Sequence, residues 1–208
     1  MLKEVLNEPD LSVYSIKKPE VSLVLLNLNN PDVKYFQDAN VRKALLAAVN
    51  RQKLIETALQ GQGVIADLPL LPGTWAFYDG VARTNYDPQS ANLLLRQAGY
   101  VLNQEGSGTR SKNGIPLSFT LIHPDDETHT RVAAYLRDEW KKIGVEAILS
   151  PVAYDALVLD YLQPLTYQAA LVDLNFLRSP DPDPYPFWDQ SQQSGGQNYS
   201  QWENRIVS

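Results

Sequence analysis

Short runs of Val, Ile and Leu alternate with capped, helix-spaced stretches along nearly the whole chain, and this alternation restricts the fold more than any other feature. Val21 to Leu28 is almost continuously apolar and stops at Asn29-Asn30-Pro31, which predicts a strand buried on both faces. Leu117 to Ile122, Val145 to Val152 and Tyr167 to Val172 predict further strands. Between them, Asp38-Ala39-Asn40 offers a cap ahead of Val41, Ala44, Leu45 and Ala48 at helical spacing. Asn50 caps a continuation through Leu54, Ile55, Ala58 and Leu59 to Gly61. Asp87 and Pro88 open the clearest helix, whose stripe of Ala91, Leu94, Leu95 and Ala98 ends at Gly99. Asp125 or Asp126 begins another, with Val132, Tyr135, Leu136, Trp140 and Ile143 on one face, Lys141 and Lys142 at its negative end and Gly144 as its stop. Ala153 to Tyr161 reads as a short amphipathic helix. Strands and helices in this order predict an α/β domain with a mixed, largely parallel sheet flanked by helices.

Periodicity lapses in three places. Gly61 to Tyr86 is punctuated by Pro69, Pro72 and Gly73 yet carries Trp75, Phe77 and Tyr78, so it predicts a long ordered loop. Residues 103–114 are polar and rich in Gly and Ser, as in a solvated hairpin-like loop. Beyond Asp173 the chain turns irregular, with Pro180, Pro182, Pro184 and Pro186, and ends in a Gln- and Ser-rich tail.

Composition excludes several functions. A net charge of -6 with Lys and Arg interleaved among acids leaves no stripe to neutralise phosphates, so no nucleic-acid partner is expected. The absence of Cys removes disulfides, thiolate catalysis and Cys-based zinc sites. No apolar run is long enough to span a bilayer, and the opening residues Met1 to Pro9 are too polar for a signal peptide. Asp181-Pro182-Asp183-Pro184 puts prolines where a calcium loop needs other residues, and neither Gly nor a distant Glu completes it. His123 and His129, beside Asp125-Asp126-Glu127, do not share a helical face well, and acids at a helix start answer the macrodipole, so neither a metal nor a cofactor is expected. With no G-x-S-x-G elbow and only two His, an enzyme is not indicated.

Four blocks in fixed order resemble the dipeptide- and oligopeptide-binding proteins, the extracytoplasmic solute-binding family 5 that serves ABC importers. Phe36 to Leu45 with Ala48-Val49-Asn50-Arg51 is similar to the family's F-x-D-x-x-V-R-x-A-L block. Tyr86-Asp87-Pro88 with Ala91, Leu94, Leu95 and Ala98-Gly99-Tyr100 is similar to its Y-D-P block. Trp140 to Val145 and the pair Asp181-Pro182-Asp183-Pro184 with Asn198-Tyr199-Ser200 complete the likeness. The residues of these blocks read as structural: Asp38, Asn50 and Asp87 as N-caps, Gly99 and Gly144 as C-caps, Arg42 as half of an ion pair.

The resemblance implies one lobe of a type 2 periplasmic-binding-protein-like fold. Residues 1–20 would be a linker and 21–208 the second, C-terminal lobe, truncated at its C-terminal end. It implies binding of a peptide or peptide-sized solute between two lobes, with the first lobe and an ABC transporter permease as partners. The expected location is periplasmic or extracellular, with a lipid-tethered parent one possibility. A ligand-sensing lobe of a cytosolic transcriptional regulator is the alternative, and a hydrolase a remoter one. Peptide-binding relatives place ligand contacts after a late strand, which here is Asp173, Leu174, Asn175, Phe176, Leu177 and Arg178. Their acidic anchor for a peptide's amino terminus falls near Arg178, whose guanidinium suits a carboxylate or phosphate instead; a shifted alignment gives that role to Asp173. Trp75 is a candidate aromatic contact across the cleft, although packing accounts for such residues equally well.

Overall fold

The structure is a computed structural model and describes residues 18–68, 70–103, 106, 108–176 and 183–206, together with Asp10 and Tyr14. It is a three-layer α/β domain. Strands β1 (Glu20–Leu26), β4 (Ser118–Pro124), β5 (Glu146–Val152) and β6 (Ala169–Asn175) form a four-stranded sheet in the order β1-β6-β4-β5. β4 pairs parallel to both β5 and β6, and β1 pairs antiparallel to β6 with Glu20 opposite Asn175. A small hairpin, β2 (Ser111–Lys112) and β3 (Ile115–Pro116), precedes β4. The mixed, largely parallel sheet is as the sequence predicts.

One face of the sheet is covered by α1 (Ala39–Ala47), α2 (Arg51–Thr57), α3 (Pro88–Gln97) and α4 (Glu127–Lys142), over a core that includes Phe36, Val41, Leu95, Phe119, Leu136, Trp140 and Leu171. Within it, Phe36 meets Phe119 edge-on at 5.1 Å, Phe119 meets Trp140 at 5.5 Å, and the Trp140 indole N–H donates to the Leu45 carbonyl at 2.9 Å. Burying a donor of this kind is tolerated only with an acceptor in place. The second face packs Leu25, Ile122, Ala170 and Val172 against Leu157, Leu162 and Tyr167.

Caps fall where the residue types require them. Asp38, Asn50, Asp87 and Asp126 each accept from backbone amides of the helix that follows, and Gly144 closes α4 at φ +76°. A Cβ at Gly144 would also stand 2.8 Å from Leu102 and 2.9 Å from Arg110, so glycine is demanded there twice over.

Several expectations need correction. Among the described residues Arg42 forms no ion pair of the expected kind; its guanidinium donates to the Phe36 and Gln37 carbonyls, closing the short 3₁₀ turn before α1. β1 divides its side chains between the two cores but lies at the sheet edge, so only Val21 and Leu25 are fully buried. The helix expected over Ala153–Tyr161 is α5 (Tyr154–Ala156), one α-turn that widens into a π-turn over Leu157–Leu162. β6 continues to Asn175, past the expected end at Val172. The Pro-rich tail is partly ordered, as α6 (Tyr185–Trp188) and a 3₁₀ turn, Gln190–Gln193. The buried amide of Asn198 knits that tail by donating to the Asp189 and Trp202 carbonyls.

The polar 103–114 segment hides a structural residue. Arg110 is 4% exposed and donates to the carbonyls of Ile143 and Tyr100 and to Asn92 Oδ1. It ties the end of α4 to the end of α3. Replacing it with Met keeps most of the apolar stem but strands two buried carbonyls, and we expect a loss of about 3 kcal/mol, read as a lower urea midpoint with an unchanged m-value.

Candidate functional site at the carboxyl ends of the strands

Because β4, β5 and β6 are parallel, their carboxyl ends share one edge of the sheet, and antiparallel β1 starts at that same edge. Crevices outside such ends are where open α/β sheets take their ligands. β6 pairs with β4 only through Ala169 and Ala170, so the rest of β6 runs on past the pairing and carries Asp173 level with the β4–α4 turn.

Three elements converge there through one chain of polar groups. Asp126, the N-cap of α4, accepts at Oδ1 from the amides of Thr128 (2.9 Å) and His129 (3.1 Å). Its Oδ2 faces His129 Nδ1 at 2.5 Å. His129 Nε2 faces Asp173 Oδ2 at 3.0 Å, and Ser22 Oγ on β1 donates to Asp173 Oδ1 at 2.5 Å. Each ring nitrogen thus meets a carboxyl oxygen, and a neutral ring has one N–H with which to donate to them. The side chains of His129 and Asp173 are 16% and 21% exposed, whereas Asp126 is half exposed. Burial pushes the Asp126 carboxyl up, but the His129 amide and ring and the Thr128 amide together hold it below its ordinary value.

Of the residues named from sequence, Asp173 and Asn175 stand at this edge. Asn175 donates to Glu20 Oε2 at 3.2 Å. Phe176 follows but is buried, its ring edge-on to Phe187 at 6.0 Å and its amide bonded to the Pro19 carbonyl. Trp75 is 80% exposed on the 61–86 loop. That loop is pinned at its two ends by Arg51, which donates to the Ala66 and Thr84 carbonyls and pairs with Asp67. Leu177, Arg178 and the Asp181-Pro182 pair lie outside the described residues.

His129 is the functional candidate that sequence reasoning missed. Its i,i+3 spacing from Asp126 was legible, but the partner that gives it a role, Asp173, is 44 positions away and arrives only through the sheet. Both ring nitrogens are turned toward carboxylates, and among the described residues no group of three or more His, Asp or Glu is arranged to hold a metal ion. No helix among the described residues is long and apolar enough to cross a membrane. A separate open groove of about 590 Å³ follows the outside of β1, lined by Leu23, Leu25 and Leu28 with Tyr185, Trp188 and Trp202.

Residues 1–198 match the model of bacterial extracellular solute-binding proteins, family 5 Middle. The oligopeptide-binding protein AppA of Bacillus subtilis is 28% identical over 187 residues, which is 88% of this chain and 34% of that protein. The nickel-binding periplasmic protein of Escherichia coli is 34% identical over 130 residues, 62% of this chain and 24% of its own length. The solved structure of Bacillus subtilis AppA in complex with a nonapeptide superposes with a TM-score of 0.84 at 27% identity, covering 91% of this chain and 37% of that one. The chain therefore spans between about a quarter and just over a third of the length of these relatives.

The Asp126 cap makes a prediction for the acid limb of stability. A carboxyl held low in the folded state stabilises above its unfolded value of about 4 and loses that contribution as pH falls through the folded value. Asp126→Asn is therefore expected to lower the urea midpoint near neutral pH and to flatten its decline at acid pH. An unchanged acid limb would mean that the carboxylate is not engaged in solution.

Proposed function

The chain belongs to the bacterial extracellular solute-binding proteins of family 5, and from that membership we propose that it forms the second lobe of a two-lobed binding protein working outside the cytoplasm. The lobe takes a solute of peptide size against its strand-end face and, with a first lobe, delivers it to an ABC importer. It is a binding module, not a catalyst. Residues 1–20 lead into the lobe and 21–208 form it.

The observation that carries this reading is the shared edge at the carboxyl ends of β4, β5 and β6, where half-buried Asp173 and exposed Asn175 stand side by side along β6. Relatives named for oligopeptides and for nickel both match this chain in sequence, so the family supplies the class of task and leaves the cargo to the cleft residues. Capture proceeds by closure. The open form binds solute on one lobe, and the second lobe's contacts give the closed state its extra affinity. Asp173 and Asn175 face the solute, the family resemblance assigns Leu177 and Arg178 to the same site from sequence alone, and Trp75 offers an aromatic surface to the solute or to the opposing lobe.

A thermal-shift screen of the two-lobed protein beside these 208 residues alone tests the proposal. The panel holds short peptides, oligosaccharides, nickel chelates and acidic metabolites. One class is expected to stabilise the two-lobed protein by about 2.7 kcal/mol at about 100 times its dissociation constant, with little effect on the lobe alone. A panel in which nothing shifts the two-lobed protein would contradict solute capture.

A further inference from the structure

The strand-end cluster holds an imidazole between two carboxyl groups, and its placement bears on how the site treats charged solutes. Asp173 Oδ2 is taken by His129 Nε2 and its Oδ1 by Ser22 Oγ. The groups around the ring come from every neighbouring element. α4 supplies Asp126, with Glu127 beside it already paired to Arg131. β6 supplies Asp173, and β1 supplies uncharged Ser22, with Glu20 engaged by Asn175. The end of β4 contributes His123, whose Nδ1 lies at the Pro124 carbonyl, and Asp125, whose amide is bonded to Val152. Arg131 is turned away, onto Glu127 and the Ala58 carbonyl. Within this set the His129 ring is the one group able to carry positive charge that contacts Asp173.

Resting on the reading of Asp173 as a solute contact, we propose that His129 makes capture of amines proton-linked: a solute's ammonium group reaches Asp173 only in place of the imidazole Nε2–H, and the ring gives up that proton on binding. The exchange is balanced. One N–H···Oδ2 bond from the solute replaces one from the ring, and the proton passes to water. The neutral ring keeps its Nδ1–H on Asp126, whose carboxylate is fixed by two backbone amides. Asp126, His129 and Asp173 carry a net charge of about −1 before binding, and the same three groups with the ammonium carry about −1 afterwards, so binding adds no net charge to this partly buried cluster. Two cations on one carboxylate would be the alternative, and their repulsion in a partly desolvated site opposes it. Solutes without an amine, which leave Asp173 to the ring, bind without proton release.

The test is an NMR titration of this chain at millimolar peptide, where weak one-lobe binding is read from the amides of Asp173 and Asn175. Trialanine and N-acetyl-trialanine are the probes, over about pH 5 to 7, below the titration of the peptide's own amine. Trialanine affinity is expected to rise by up to about tenfold per pH unit, the limit for release of one proton, while N-acetyl-trialanine stays flat. The His129 ring signals are expected to change from two bound protons to one as trialanine binds. His129→Gln removes the titrating cation, and its trialanine affinity is expected to be higher than the parent's at about pH 5 and independent of pH. Equal, pH-independent binding of both peptides to the unsubstituted chain overturns the proton linkage while leaving solute capture intact. If neither peptide perturbs the strand ends, in the chain or in its His129→Gln variant, both the linkage and the assigned role of Asp173 fall.

Discussion

β4 is hydrogen-bonded on both sides to parallel neighbours, and parallel strands cannot be joined by a tight hairpin. The chain must leave the sheet after β4 and return at the start of β5, and α4 is that return path. Its first turn is therefore fixed at the carboxyl edge. The same logic sends the chain from β5 through α5 to β6, and β6 overshoots its short pairing with β4. Asp126 and His129 meet Asp173 because two parallel pairings leave them no other place.

Packing then makes the arrangement rigid. Phe36, Phe119 and Trp140 hold α4 against β4 and the segment before α1, and the indole bond to Leu45 fixes the depth of the contact. Arg110 anchors the far end of α4 by its bond to Ile143. At the opposite side of the sheet, Asn27 locks the end of β1 to the start of β6 through the carbonyls of Leu165 and Tyr167. The described motif residues thus serve the frame, as caps and buried ties, while the strand-end cluster is built from residues outside those motifs.

That division explains what could be read from the sequence. The strands, the capped helices and the α/β layering were legible because each rests on local signals: Asp38, Asn50, Asp87 and Asp126 before apolar stripes, and Gly99 and Gly144 after them. Asp173 was legible as a candidate from its place after a late strand. The edge position of β1 was not, since an apolar run at a sheet edge beside a groove has the same composition as one at the centre. Neither was the burial of Arg110, because its acceptors are backbone carbonyls contributed by distant turns. His129 was seen and set aside as a poor metal ligand; its contact with Asp173 depends on strand register, which no local pattern encodes.

In the proposed mode of capture, solute and opposing lobe meet the carboxyl ends of β4 and β6. Hydrogen exchange of the two-lobed protein, with and without the solute that stabilises it, tests this most directly. Slower exchange is expected at residues 122–129 and 172–176, with the groove segment 183–202 little changed. Protection confined to that groove, or absent from the strand ends, would contradict it.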